Sequence, residues 1–215
     1  MKTTLLALLL AAPLCLAGES GFTPLFDGEA LHGWTLLPRE RPSGQWRFEG
    51  AALVVDGRPG HLASDEEYGD FDLRLEWKIG PMGNGGVFFR VAAPGNPAST
   101  AIEFQIADNA RKASVENPNR RSGAAYGLYA PAGDASRPPG EWNSLRIVAQ
   151  GRHVEHWLNG RKVVAFEIGS ADFRRRVAAK FPGRAGFATA RRGRIVLQDH
   201  GSKVWFRNVR IQVLD

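Results

Sequence analysis

Phe71-Asp72-Leu73-Arg74-Leu75-Glu76-Trp77-Lys78-Ile79 decides the fold class. Its odd positions are all large and apolar, and its even positions are all charged. Side chains on a β-strand point alternately to opposite faces, so this stretch is a strand with one buried and one wet face. A register slip of one residue would expose all five large side chains. Working outward, period-two alternation predicts further strands at 53–55, 86–91, 102–107, 125–128, 144–149, 185–188, 195–198 and 204–213. In 77 and 205, tryptophan alternates with apolar partners, and both Trp77 and Trp205 read as core. Segments 154–158 and 162–168 flank Asn159-Gly160-Arg161. Asn-Gly accepts positive φ at both positions, which predicts a hairpin and, with 144–149, a three-strand meander. Residues 171–180 read as the one short helix, opened by Ser170 as N-cap and closed by Pro182-Gly183. Turn-rich connections are expected at 94–99, 110–123 and 131–140. A dozen short strands without intervening helices bury their apolar faces by stacking, which predicts an all-β, concanavalin-like jelly-roll sandwich of two antiparallel sheets.

The chain has 215 residues and a formal net charge of +6. Met1 to Ala17 carry Lys2, the apolar run 5–10 and small residues at the end, the layout of a secretory signal peptide. Residues 18–215 then form a single domain, and the protein is expected to be exported to the periplasm or the extracellular space. The apolar run is too short for a membrane span. The single cysteine, Cys15, falls inside the leader, so thiol and zinc-thiolate chemistry are not expected of the mature chain. Leu14 stands where a lipidated cysteine wants a small residue. The arginine clusters 174–176 and 191–192 lack any recognition helix or nucleic-acid motif and read as solvated surface.

Polar residues mark candidate chemistry. Alternation in 102–107 sets Glu103 and Gln105 together on the face away from the core, where both can read sugar hydroxyls. Parity would send Asp108 inward, which is costly for a carboxylate, so a bulge or the strand end is expected to turn it out to the same patch. Gln198 and His200 form a second pair. Asn84-Gly85-Gly86 allows close approach of backbone or ligand, and Arg90 either clamps a substrate oxygen or pairs with a carboxylate. Tyr126 and Tyr129, around Gly127, can stack on a pyranose or pack at a sheet rim.

These residues carry a resemblance. Leu25-Phe26-Asp27-Gly28 with Gly33-Trp34, Gly69-Asp70-Phe71, Asn84-Gly85-Gly86-Val87-Phe88-Phe89-Arg90, Glu103-Phe104-Gln105-Ile106, Gly140-Glu141-Trp142-Asn143, Trp157-Leu158-Asn159-Gly160 and Leu197-Gln198-Asp199-His200-Gly201 with Phe206-Arg207-Asn208 occur in order. Jointly the chain resembles the 3-keto-disaccharide hydrolase domain family over nearly all of 18–215. The resemblance implies a concanavalin-like sandwich, bacterial export and cleavage of glycosides oxidised to a ketone at carbon 3. Family members more often have Asn-Ser-Gly at 84–86 and a histidine near 194, departures that bear on substrate choice.

A ketone at carbon 3 acidifies the carbon 2 proton, so one base and one enolate stabiliser suffice for elimination at carbon 1, with water adding afterward. The base role goes to His200 or Glu103, the stabiliser role to Arg90, and orientation of hydroxyls to Gln105, Asp108 and Gln198, with Asn84, Tyr126 and Tyr129 lining the substrate. No cofactor is required; a divalent cation near Glu103 and Asp108 is the alternative to Arg90. The partner is a carbohydrate, not nucleic acid, with a functional link to a sugar 3-dehydrogenase that makes the ketone. Two competing readings remain open. Glu103-x-Gln105-x-x-Asp108 looks like the acid motif of retaining glucanases, whose carboxyls stand about 5–5.5 Å apart. A non-catalytic carbohydrate-binding module would use the same face.

Overall fold

The computed structural model describes residues 21–26, 28–92, 96–184 and 186–214; the expected leader and Cys15 lie outside them. The strands are β1 (Thr23–Pro24), β2 (Trp34–Glu49), β3 (Ala52–Tyr68), β4 (Phe71–Ile79), β5 (Asn84–Val91), β6 (Ile102–Ala107), β7 (Asn143–Gln150), β8 (His153–Leu158), β9 (Arg161–Glu167), β10 (Gly193–Leu197) and β11 (Val204–Val213). All pairings are antiparallel, in the order β6-β5-β10-β3-β11-β4-β7-β8-β9, with β2 on β3 and β1 on β11. The sandwich is therefore one continuous sheet curled into two layers.

The curl sits in β3. Leu53 to Val55 pair with β11, whereas 62–68 pair with β10. Between them lies Asp56-Gly57-Arg58-Pro59-Gly60, where Gly57 has φ +88° and Gly60 φ +119°. Only glycine takes these values without strain, and a Cβ at Gly57 would stand 2.8 Å from the Ser43 oxygen. Strand β3 thus leaves one layer and enters the other, the way strands turn corners in packed sheets.

Inward residues fill the gap between layers. From β4 come Phe71, Leu73, Leu75, Trp77 and Ile79, each at most 2 % exposed. They meet Val87, Phe89, Phe104, Ile106, Ile195 and Leu197 of the other layer. Burial of each large apolar side chain contributes roughly 1.5–3 kcal/mol, so the alternation read at 71–79 fixes both the layer and its orientation. The meander β7-β8-β9 forms, with Asn159 at φ +49° and Gly160 at φ +77° in its tight turn.

Helix α3 (Ala171–Lys180) begins as the sequence predicts, the Ser170 hydroxyl accepting the Phe173 N–H at 3.1 Å. It is not alone: α1 (Pro97–Thr100) and α2 (Lys112–Glu116) are short helical turns inside segments read as loops. Strand β2 follows no clean two-residue period and is held by pairing with β3 along its length. Residues 125–128 are a turn with bridges at Ala125, and 186–188 are a turn, not strands. Trp205 is not core. It shares the outer surface of β11 with Lys78 and Lys203, its indole N–H donating to Glu49, because Val204 and Phe206 take the inward positions. Among the described residues no helix is long and apolar enough to cross a membrane.

Candidate active site

In β5 and β6, Val87 pairs with Phe104, Gly86 with Gln105, Phe88 with Glu103 and Asn84 with Ala107. Val87 and Phe104 belong to the main core. Gly86, Phe88, Glu103 and Gln105 consequently share the opposite, outer face. Strand β10 extends that face: Val196 pairs with Phe88, and the Gln198 N–H donates to the Gly86 carbonyl at 2.9 Å. Gln105 and Gln198 thus flank Gly86 from either side, about 10 Å apart at two interstrand spacings.

Glycine at 86 makes room for an acid. A Cβ there would stand 2.8 Å from Glu103 Cγ and 2.9 Å from Glu103 Cδ, so the Glu103 side chain lies in the space that a larger residue would fill. Beside it, Phe88 anchors a small apolar cluster with Ala63, Val91, Ala101 and Val196 on this same outer face. Glu103 is 7 % exposed and makes no side-chain hydrogen bond or ion pair among the described residues. Burial alone pushes its carboxyl up from 4.5 to about 8, because ionisation without water or a counter-charge is costly.

Two further groups share this condition. Gln105 donates its amide N–H to the Asn84 side-chain oxygen at 2.7 Å, but its own Oε1 is buried without a partner. The Oε1 of Gln198 is likewise buried and unpartnered. Buried polar atoms left unpaired cost about 1–3 kcal/mol each, and their gathering round Gly86 marks a place prepared for a hydrogen-bonding ligand.

The strand end places the rest. Asp199 is fully buried, accepting the Gly60 N–H at 3.0 Å and the Gly201 N–H at 2.8 Å, while its own N–H donates to His61 Nδ1. That anchor leaves His200 exposed on the loop, tied to the start of β5 by the Asn84 N–H bonded to Ser202 Oγ. His200 stands two residues beyond Gln198, on the exposed loop that follows β10. His61 was not anticipated. It precedes Leu62, the register partner of Leu197, which puts it beside Gln198, and its ring lies 6.3 Å from that of Phe88. Its only signal in the sequence was the alternation His61-Leu62-Ala63, too short to read alone.

Tyr126 joins the face at the sheet edge, its N–H bonded to the Glu103 carbonyl and its ring 5.3 Å from Lys180 Nζ. Tyr129 does not. Its ring stacks on Phe166 at 4.9 Å and its hydroxyl donates to Asp172 at 2.9 Å, so it braces α3.

Two other residues are placed elsewhere. Asp108 closes β6 at the end remote from Glu103, and its two oxygens accept the N–H groups of Met82 and Ala110 at 2.8 and 2.9 Å. It serves a turn rather than the Glu103 patch, because those two donors satisfy its charge where the strand ends. A cation held between Glu103 and Asp108, or a retaining carboxyl pair made of them, does not fit this arrangement. Of the two readings open for Arg90, the structure shows the carboxylate pair, because β5 carries an extra residue against β10 and Arg90 has φ +51°. The bulge re-aims its side chain. Its guanidinium donates to the carbonyls of Gly69 and Gly151 and to Asp70 at 2.8–2.9 Å, knotting the β3–β4 and β7–β8 turns.

A curled antiparallel sandwich with a desolvated carboxyl and unpaired amide oxygens grouped on one face suits a protein that acts on glycosides, and the comparisons give that class. The chain belongs to the 3-keto-alpha-glucoside-1,2-lyase-like domain family, whose model matches residues 21–212. It is 27 % identical to a 3-keto-disaccharide hydrolase of Bacteroides thetaiotaomicron, over 91 % of this chain and 79 % of that protein. A candidate glycosyl hydrolase of Parabacteroides distasonis superposes with a TM-score of 0.82 at 32 % identity, covering 91 % of this chain and 94 % of that one. An endo-β-1,3(4)-glucanase of glycoside hydrolase family 16 superposes at 0.56 over 90 % of this chain and 91 % of that one; at 11 % identity it shows the shared fold alone.

Proposed function

We propose that this protein is exported and cleaves glycosides whose sugar ring carries a ketone at carbon 3, by elimination followed by hydration. The observation that carries the reading is Glu103, buried, unpartnered and raised to about 8 on a face that also presents unpaired amide oxygens. Its surroundings favour the neutral acid, so a proton taken from carbon 2 is held there at lower cost than on an ordinary carboxylate. Electrons from that C–H bond pass into the carbonyl as an enolate, with negative charge on the carbon 3 oxygen. The amide NH₂ of Gln198, which makes no hydrogen bond among the described residues, is the donor available to that oxygen. Collapse of the enolate restores the ketone, forms the C1–C2 double bond and expels the carbon 1 oxygen. That oxygen needs a proton, and the imidazoles of His61 and His200 are the candidate acids across Gly86; separate His61→Gln and His200→Gln variants identify which one supplies it. Water then adds at carbon 1 and a proton returns to carbon 2. The substrate class also agrees with the activity for which the Bacteroides thetaiotaomicron relative is named.

The decisive assay offers a 3-keto-disaccharide and the same disaccharide unoxidised, in deuterated water. Cleavage of the ketone alone, with deuterium at carbon 2 of the product, is expected. Cleavage of the plain sugar, or turnover without label at carbon 2, overturns the mechanism. Binding of either sugar without turnover would make the face a lectin site.

A further inference from the structure

A sizeable cavity lies away from the Glu103 face. About 590 Å³ in volume, it lies between α3, the turn-rich residues 181–184 and 186–191, and the β7–β8 turn. Its wall is apolar, built from Phe173, Val177, Phe181 and Phe187. Its mouth is ringed by Arg152, Arg174, Arg184 and Arg191, and Arg90 reaches it from the end of β5.

The charge is one-sided. Among the described residues no aspartate or glutamate lines the cavity. Arg174 and Arg184 bond only backbone carbonyls, of Gly169 and Ala98, and Arg152 and Arg191 have no carboxylate partner among the described residues. The one balanced cation is Arg90, which is 5 % exposed and paired with Asp70. Four guanidinium groups of like sign around one apolar opening repel one another unless an anion is present, and each offers a planar pair of donors suited to a carboxylate or phosphate. The volume falls in the range of small-molecule sites. A free sugar is a poor occupant, because most of the wall is apolar and would strip water from its hydroxyls. A neutral apolar molecule would leave the cation ring unanswered.

We propose that this cavity is a second ligand site, separate from the Glu103 face, for a small amphiphilic anion: an acyl-sized or aryl-sized apolar body seated against Phe173, Val177 and Phe187, with one anionic head at the arginine ring. It does not depend on the reaction assigned to the Glu103 face. Two observations carry it independently, the apolar wall and the uncompensated cations at its mouth.

The test is calorimetric titration of the full chain with octanoate and octyl phosphate, against 1-octanol and acetate. Saturable binding of the two amphiphilic anions, at least tenfold tighter than either control, is expected. The double variant Arg152→Glu, Arg191→Glu, both exposed positions, should weaken the anions tenfold or more and leave octanol unchanged. Val177→Trp, which fills the cavity, should remove binding; if that variant does not fold, the arginine pair still decides. Glu103→Gln should bind octanoate as the wild type does, so loss of activity and loss of this site are separately visible. No saturation by octanoate and octyl phosphate, equal affinity for octanol, or undiminished binding in the arginine variant would overturn the proposal.

Discussion

The two faces of the β5–β6 pair each bury one titratable side chain, and they treat it in opposite ways. On the core face, His156 stacks among Phe89, Phe104 and Phe166, and burial pulls its imidazole down from 6.5 to about 4. On the outer face, Glu103 lies over Gly86 and burial pushes it up to about 8. His156 is tied: its Nδ1 donates to the Gly123 carbonyl at 3.1 Å, since a carbonyl only accepts. Glu103 has no such tether. Burial alone therefore does not distinguish a structural group from a chemical one. The absence of any side-chain partner on Glu103, against the Gly123 tether of His156 Nδ1, does.

Four substitutions break or sharpen that contrast. Glu103→Gln should lower kcat/KM for a 3-keto-disaccharide about 10³-fold, within the range of lost acid–base groups, while circular dichroism stays that of the folded protein. Activity within a few-fold of wild type would move the chemistry off this face. Arg90→Gln should do the reverse. Removing the guanidinium from its buried knot should cost about 3 kcal/mol in urea unfolding while kcat of the folded fraction changes little; a large kcat effect at unchanged stability would return Arg90 to the reaction. Gly86→Ala places a methyl group where the Glu103 side chain lies, and kcat should fall roughly 10- to 100-fold through misplacement of the carboxyl, with the fold retained.

In pH dependence the two groups act with opposite signs. Glu103 has a folded pKa above its unfolded 4.5, so its contribution is fully present below pH 4.5 and is lost as pH rises toward about 8. His156 has a folded pKa below its unfolded 6.5, so its contribution is fully present above pH 6.5 and is lost as pH falls toward about 4. Each contributes a slope of about 1.4 kcal/mol per pH unit within its window. Unfolding free energies measured from pH 4 to pH 9 should lose the alkaline slope in Glu103→Gln and the acid slope in His156→Leu. Slopes unchanged in either variant would mean that the corresponding group is solvated.

The pattern of the contrast was partly legible. Alternation in Ile102-Glu103-Phe104-Gln105-Ile106 assigns Glu103 and Gln105 to one face whatever the neighbours are. The same rule misjudged Trp205, and it left Arg90 undecided between a substrate clamp and a carboxylate pair. At Arg90 a bulge, a property of the β5–β10 pair and not of β5 alone, reset the parity. At Trp205 the inward places already belonged to Val204 and Phe206, and the ring found Lys78 and Lys203 outside. Asp108 reads as a third acid of the patch until its two turn donors are seen. His61 carried too little local pattern to be picked out, and it reaches the face only because β3 changes layer at Gly57–Gly60.

The sequence by itself determined the sandwich, the meander with its Asn-Gly turn, the N-cap of α3 and the family, because each depends on periodicity, backbone preference or ordered motifs within short stretches. Tertiary structure decided which polar residues meet. Gln198, just past β10, lies 95 residues beyond Glu103, and whether a carboxyl is left without a partner depends on every neighbour that packs around it. Local chemistry can nominate an acid; only the assembled sheet removes its water and leaves its charge unanswered.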